Sequence, residues 1–251
     1  LQGFPTSNHL GATGDGLVLA YRQGCGLVHP ESYQYHPSGT VYPEALVGQL
    51  VTESIRSAGA QVLNAEGERF IGEMTFRDVL AAAIISEVAG RRGVLTPNQR
   101  AGVWLDTPLI DIKNGEGALH RQFPGLVHRF KRYKIDPAKQ PILIYPTLHY
   151  QNGGIRIDRD GRTDTKGLWA AGEVTGGLHG TNRLMGNSLL DITVFGRRAA
   201  LSIQKELPSR KAVTLSRLKK FREELKTISP RREIMSPQLF PEVANMKIKF
   251  Q

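Results

Sequence analysis

The sequence predicts a mixed α/β fold, and two observations carry that expectation. Segments with helical spacing alternate along the chain with short apolar or alternating segments that read as strands. In the last third, a strand-like run over residues 168–173 passes into a loop with four glycines in nine residues, Gly172, Gly176, Gly177 and Gly180. That loop leads into an apolar helix over 189–203, whose first residues, 189–195, read as buried. Glycines let backbone approach a bulky ligand closely, and the N–H groups of a helix start suit an anionic or dipolar group.

Residues 8–16 are turn-rich, and Thr13 or Asp15 is placed to cap a helix over 16–23. Residues 31–37 alternate and are aromatic, as in a strand that ends at Pro37. Residues 46–57 and 76–91 have helical spacing, the second rich in alanine. Between them, 62–64 and 69–71 flank Ala65-Glu66-Gly67-Glu68 in a hairpin pattern. A short strand follows at 103–106, mixed helix and loop over 107–141, and an apolar strand at 141–146. After the loop His149-Tyr150-Gln151-Asn152-Gly153-Gly154 comes a hairpin turning at Arg159-Asp160-Gly161. Pro208 marks a boundary, and beyond it Leu215, Leu218, Phe221, Leu225 and Ile228 share one helical face. There is no internal repeat.

A chain of 251 residues can bury a full core, and its 40% hydrophobic content contains no stretch long enough to cross a bilayer. One cysteine, Cys25, excludes an internal disulfide framework and any cysteine-built metal site, and points to a reducing compartment. The net charge of +10 raises nucleic acid as a ligand. Against that, aromatic residues are only 7% and no helix-turn-helix, zinc or RNA-binding signature accompanies the charge. The basic clusters at 128–134 and 205–226 read as solvated faces or as a docking surface for an acidic partner. The first residue is Leu1 in a loop-like stretch, as in a piece of a longer polypeptide or one half of a split one.

Judged on its own, Arg183, alone between glycine-rich turns, suggests anion binding. His36 reads as a strand-end residue, His149 as a loop histidine and Thr52 as an ordinary helix threonine. Glu53 and Arg56 read as a solvent-exposed helix pair, and Arg77 with Asp78 as a helix-start ion pair.

Several motifs in order change that reading. Ala171-Gly172-Glu173, then His179-Gly180-Thr181-Asn182-Arg183-Leu184, then Gly186-Asn187-Ser188-Leu189-Leu190-Asp191 resemble the flavin-contacting segment of the succinate dehydrogenase/fumarate reductase flavoprotein family. Thr13-Gly14-Asp15-Gly16 resembles its TGDG turn, Gln34-Tyr35-His36-Pro37-Ser38-Gly39 its QFHPTG, and residues 50–56 its LVTEGVRG. Gly67-Glu68-Arg69-Phe70, Arg77-Asp78-Val79 and His149-Tyr150 with Gly153-Gly154 are similar to GERF, SRDV and HYTMGG. The resemblance runs from Asn8 to about Ala200. The family's N-terminal GxGxxG segment and its FAD-attaching histidine have no counterpart here.

The resemblance implies a partial FAD-binding, Rossmann-like α/β domain with an inserted α+β capping domain and a short C-terminal helical segment. The boundaries it implies are 1–39 and 147–206 for the FAD-binding domain, 40–146 for the cap and 207–251 for the helical segment. It implies FAD as cofactor and His36, Thr52, His149 and Arg183 as a dicarboxylate-binding set. Arg77 matches the proton donor, and Glu53 with Arg56 the relay that reloads it. Flavin contacts fall on Thr13, Gly14, Asp15, Glu173, Asn187, Ser188 and Leu189; no metal site is implied. The activity expected is hydride transfer between flavin and a fumarate- or succinate-like dicarboxylate. An iron–sulfur electron-transfer subunit, or a chain carrying the missing half, is the expected partner, and nucleic acid is not. The location expected is cytoplasmic, with membrane association through partner subunits.

Departures leave two alternatives open. The glycines beside the relay are replaced at Ser54, Ser57 and Ala60, and Asn152 stands where HYTMGG has Met. The short link from Phe70 to Arg77 is more like L-aspartate oxidase. The second alternative is a noncatalytic module that needs a partner chain for its chemistry.

Overall fold

The computed structural model describes residues 5–9, 11–206 and 216–227. Its core element is a sheet of five strands: β2 (Tyr33–Thr40), β3 (Gln61–Leu63), β4 (Val94–Leu95), β5 (Ala101–Asp106) and β6 (Ile142–Gln151). The order is β2-β6-β5-β3, with β4 on β5, and every ladder is antiparallel. A second, two-stranded sheet joins β1 (Leu27–Val28) to β7 (Gly154–Ile155). Parallel pairing among the described residues is confined to the bridges Thr6 to Leu148 and Ile155 to Thr175.

Helix α3 (Arg77–Ala89) packs on β2, β5 and β6. The short helices α2 (Ser54–Ser57), α4 (Leu109–Asn114), α5 (Ala118–Gln122) and α6 (Pro124–Lys131) contribute to the same core. That core is aliphatic around one ring, with Ile55, Leu80, Ile84, Leu105, Leu119, Phe130 and Ile144 all fully buried. A smaller cluster around Ala20, Cys25 and Ile155 seats helix α1 (Asp15–Arg22). Helices α7 (Asn187–Lys205) and α8 (Ser216–Thr227) complete the described elements.

Several expectations are corrected. The strand does not stop at Pro37: proline lacks an N–H, so the ladder bulges between His36 and Gly39 and resumes to Thr40. Residues 46–57 are not one helix, because Gly48 takes φ +81° and Leu50 is drawn into a bridge with Gly39, leaving a 3-10 turn at Glu44–Leu46 and the single turn α2. Strand β3 pairs mainly with β5, and the expected hairpin survives as one bridge from Leu63 to Arg69. Residues 168–173 form no ladder, only a bridge from Trp169 to Arg162. Neither Thr13 nor Asp15 caps α1; its N-cap is Gly14 at φ +80°.

The start of α7 is exposed, not buried. Leu189, Leu190 and Ile192 face outward, and among the described residues the helix is anchored through Asp191, Ala199 and Ser202. Of the amphipathic stripe beyond Pro208, Leu218 is exposed, while Leu215 and Ile228 lie outside the described residues. No helix among the described residues is long and apolar enough to cross a membrane.

Candidate functional site

The paired strands β2 and β6 carry the centre of the site. Tyr33 faces Gln151 and His36 faces Thr147, with irregularities after Gln34 and after His36. The second bulge lets the Ser38 N–H donate to His36 Nδ1 at 3.2 Å, which leaves Nε2 to carry the proton of the neutral ring. At Gly39 a Cβ would stand 2.6 Å from Thr147 Cβ, so this close strand approach requires glycine. The His36 and His149 rings meet edge to face with centroids 5.2 Å apart, and Ser7 Oγ lies 2.8 Å from His149 Nδ1.

Both imidazoles are held neutral. Burial, then the charges of Arg77, His149, Arg56 and Arg183, push His36 down to about 2. Burial, then Arg77 and Arg183, push His149 down to about 4. Since both folded-state values lie below the ordinary 6.5, the unfolded chain takes up protons first as pH falls. Stability should therefore drop between about pH 6.5 and 5, above the carboxylate range, with a slope approaching about 1.4 kcal/mol per pH unit for each ring. Urea unfolding across that window checks this: the slope should flatten in His36→Asn, and an unchanged slope would refute it.

The α2 turn and the start of α3 supply the charged side of the site. Glu53 sits between two arginines, accepting from Arg77 Nη2 at 2.7 Å and Arg77 Nε at 3.1 Å on one oxygen. Its other oxygen lies 3.2 Å from Arg56 Nη2. Burial pushes the Glu53 carboxyl up, but the hydrogen bonds and charge of Arg77, with Arg56, outweigh it and hold the group below the usual carboxylate range. Arg56 is buried at 3% exposure, so the pair is not the solvated one its spacing suggests. Arg77 pairs with Glu53 and not with Asp78, because its position at the first residue of α3 aims it back across α2.

Gln34 joins this cluster to the glycine-rich loop. Its Oε1 accepts from Arg77 Nη1 at 3.2 Å and from Arg183 Nη2 at 3.4 Å. The Arg183 guanidinium lies over the Tyr150 ring, 4.2 Å from its centroid, and its Nη1 reaches Ser188 Oγ at 3.4 Å. Burial, then the charge of Arg77, shifts Arg183 down, and its Nε is buried with no hydrogen-bond partner among the described residues. Arg56 and Arg77 share the carboxylate of Glu53, and Gln34 links Arg183 to the same cluster, so three guanidinium groups converge here.

The remaining expected residues lie around this centre or apart from it. Thr52 is exposed, and among the described residues its hydroxyl reaches only Ser54 Oγ, at 3.4 Å. Thr13, Gly14 and Asp15 are exposed at the head of α1, with the Thr13 hydroxyl on Asp15 at 3.0 Å. Gly16 abuts Val174, which brings the head of α1 beside Glu173, and Glu173 accepts the Gln151 N–H at 2.9 Å. Asn187, Ser188 and Leu189 form the first turn of α7.

Gln34, Tyr150 and Ser7 were missed as site residues. Gln34 and Tyr150 lie inside quoted motifs, which is the only signal the sequence offers; no pattern in it distinguishes a buried bridging amide from a surface one. A separate cleft of about 310 Å³ between Tyr42, Trp104 and Phe130 touches none of these residues.

Residues 1–189 match the family described as FAD binding domain. A subunit of the fumarate reductase (CoM/CoB) of Methanothermobacter marburgensis is 42% identical over 210 residues, 81% of this chain and 37% of that protein. The L-aspartate oxidase of Pseudomonas aeruginosa is 37% identical over 211 residues, again 81% of this chain and 37% of that protein. Among solved structures, the FrdA chain of E. coli quinol fumarate reductase superposes with a TM-score of 0.74 at 31% identity, over 89% of this chain and 40% of that one. A chain of the Mycobacterium smegmatis Sdh1 complex gives 0.69 at 38% identity, over 91% of this chain and 38% of that one. The chain thus spans a little over a third of the length of the curated relatives it matches.

Proposed function

Because the chain belongs to the FAD-binding domain family of the fumarate reductase, succinate dehydrogenase and aspartate oxidase flavoproteins, we propose that it forms the substrate side of a dicarboxylate oxidoreductase. The observation that carries this reading is the convergence of Arg183, through Gln34, with the Arg56–Glu53–Arg77 cluster beside two neutral histidines. A dianion suits such a convergence of guanidinium groups, and the planar fork of Arg183 suits a carboxylate.

FAD, when bound, supplies or accepts the hydride. The residues present fit it: the 19-residue α7 begins without a side-chain cap, its N-cap Gly186 in the left-handed region. Exposed Leu189 adds an apolar contact, and exposed Asp15 and Glu173 can accept hydroxyl protons.

The substrate is gripped by Arg183 at one carboxylate and by neutral His36 and His149, as N–H donors, at the other. Thr52 and Ser188 are at hand to complete the set. Drawing electron density toward a clamped carboxylate makes the adjacent alkene a better hydride acceptor. As the hydride adds to one alkene carbon, Arg77 gives a proton to its neighbour, and the Glu53 carboxylate reloads Arg77 by taking up a proton from Arg56 and passing it on. Arg56 is in turn reprotonated from solvent, which returns Glu53 to its charged form. A guanidinium is nearly always protonated, so it can act as an acid only with such a partner in direct contact. In dicarboxylate oxidation the same groups run in reverse.

The test is flavin absorbance of the purified flavoprotein in which this chain stands with its complete nucleotide site, followed by viologen-coupled reduction of fumarate. Bound flavin with fumarate turnover is the expected result, and flavin-free protein without turnover would overturn it. The similarity to L-aspartate oxidase at 37% identity favours a second reading, in which the dicarboxylate carries an amino group. Flavin reduction by L-aspartate but not by succinate would select it. The partner this function calls for is an electron-transfer subunit.

A further inference from the structure

The loop that presents Arg183 is pinned from two sides by buried amides. From the β2 side, Gln34 Nε2 donates to the Arg183 carbonyl at 2.6 Å and to Asn182 Oδ1 at 2.7 Å. From the other side, Asn152 Oδ1 accepts the Arg183 N–H at 3.1 Å, and Asn152 Nδ2 donates to the Thr181 carbonyl at 2.9 Å. Asn152 is 1% exposed, and its own N–H is tied to the Ser32 carbonyl at 2.9 Å. The next residue, Gly153, leaves no slack: a Cβ there would stand 1.7 Å from the His29 carbonyl oxygen.

We infer that Asn152 is a positioning residue for substrate recognition, fixing the backbone from which Arg183 reaches the pocket. This rests on the dicarboxylate reading above. An apolar side chain such as the Met of HYTMGG could occupy the position without hydrogen bonding. The amide instead satisfies one donor and one acceptor of the Arg183 loop, the Arg183 N–H in a buried bond and the Thr181 carbonyl in a part-buried one. Arg183 Nη2 has only the long 3.4 Å bond to Gln34, and its Nε has no hydrogen-bond partner among the described residues. Its Nη1 makes two further long bonds, to the Leu184 carbonyl at 3.3 Å and Ser188 Oγ at 3.4 Å, so the guanidinium depends on its backbone and on the Tyr150 face to hold its angle. Loosening that backbone lets the fork swing, and paired hydrogen bonds to a carboxylate depend on its angle. Substrate selectivity in this chain therefore has a determinant that need not touch the substrate.

The experiment measures malonate, an unreactive dicarboxylate, binding to the isolated protein by calorimetry. Asn152→Ala should weaken malonate about tenfold. Asn152→Met, which preserves the apolar bulk and guards against a folding failure, should do the same. In an Arg183→Ala background, where affinity is already reduced, the same Asn152 replacements should change it by less than twofold, because their effect runs through Arg183. A tenfold loss that persists without Arg183 would mean a general structural role and overturn the inference. Wild-type affinity in Asn152→Met would overturn it as well. If the unmutated protein does not bind malonate at all, the dicarboxylate reading itself fails and takes this one with it.

Discussion

Arg77→Ala should abolish fumarate reduction while leaving ligand affinity nearly intact. The expected loss in kcat is about three orders of magnitude, the middle of the range for a positioned general acid. Arg77 contacts Glu53 through two nitrogens and Gln34 through a third, so its guanidinium is fixed rather than free to follow substrate. Removing it takes away the proton source but not Arg183, His36 or His149. Steady-state kinetics should show kcat falling with little change in the Kd for malonate. Arg77→Lys should recover part of the rate only if an ammonium can reach both Glu53 and the substrate carbon. A comparable fall in affinity and kcat would instead make Arg77 a binding residue and refute the donor assignment.

The second large effect concerns folding. Glu53→Ala should destabilise the protein by about 3 kcal/mol, the lower end of what breaking a buried ion pair costs. Glu53 itself is only partly buried, but its removal leaves Arg56, buried and with two guanidinium nitrogens already lacking hydrogen bonds, facing Arg77 without the shared carboxylate. The penalty lies in the two like charges left together, not in the lost attraction alone. Glu53→Gln keeps an acceptor oxygen and should cost less, while still losing turnover because an amide cannot return a proton. Denaturant midpoints for the two variants check this, and an Ala variant as stable as wild type would show that water enters and solvates Arg56.

Much of the architecture was legible because its signals are local. The alanine-rich periodicity of α3 and the glycine loop before α7 each reflect backbone preference within a few residues, and both elements lie close to where the pattern puts them. The failures came where distant partners decide. Residues 46–53 have helical spacing, yet Leu50 is claimed by Gly39 across the sheet. The apolar start of α7 suggests burial, and burial depends on what packs against it. At the site, motif order brought Arg77, Glu53, Arg56, His36, His149 and Arg183 together in advance. Composition and spacing alone would have left Glu53 and Arg56 as an idle surface pair. Gln34 stayed hidden because bridging two arginines is a property of three dimensions.

The bulged ladder between β2 and β6 has a consequence for how such a protein can change over evolutionary time. The separation of His36 from His149 is inherited from main-chain pairing and from a proline that every neighbouring side chain must accommodate. Substitutions around the histidines can then retune charge, reach and shape without shifting either ring. A lineage can explore new ligands one side chain at a time, each step departing from a working geometry, because the spacing of the two rings is written in the backbone.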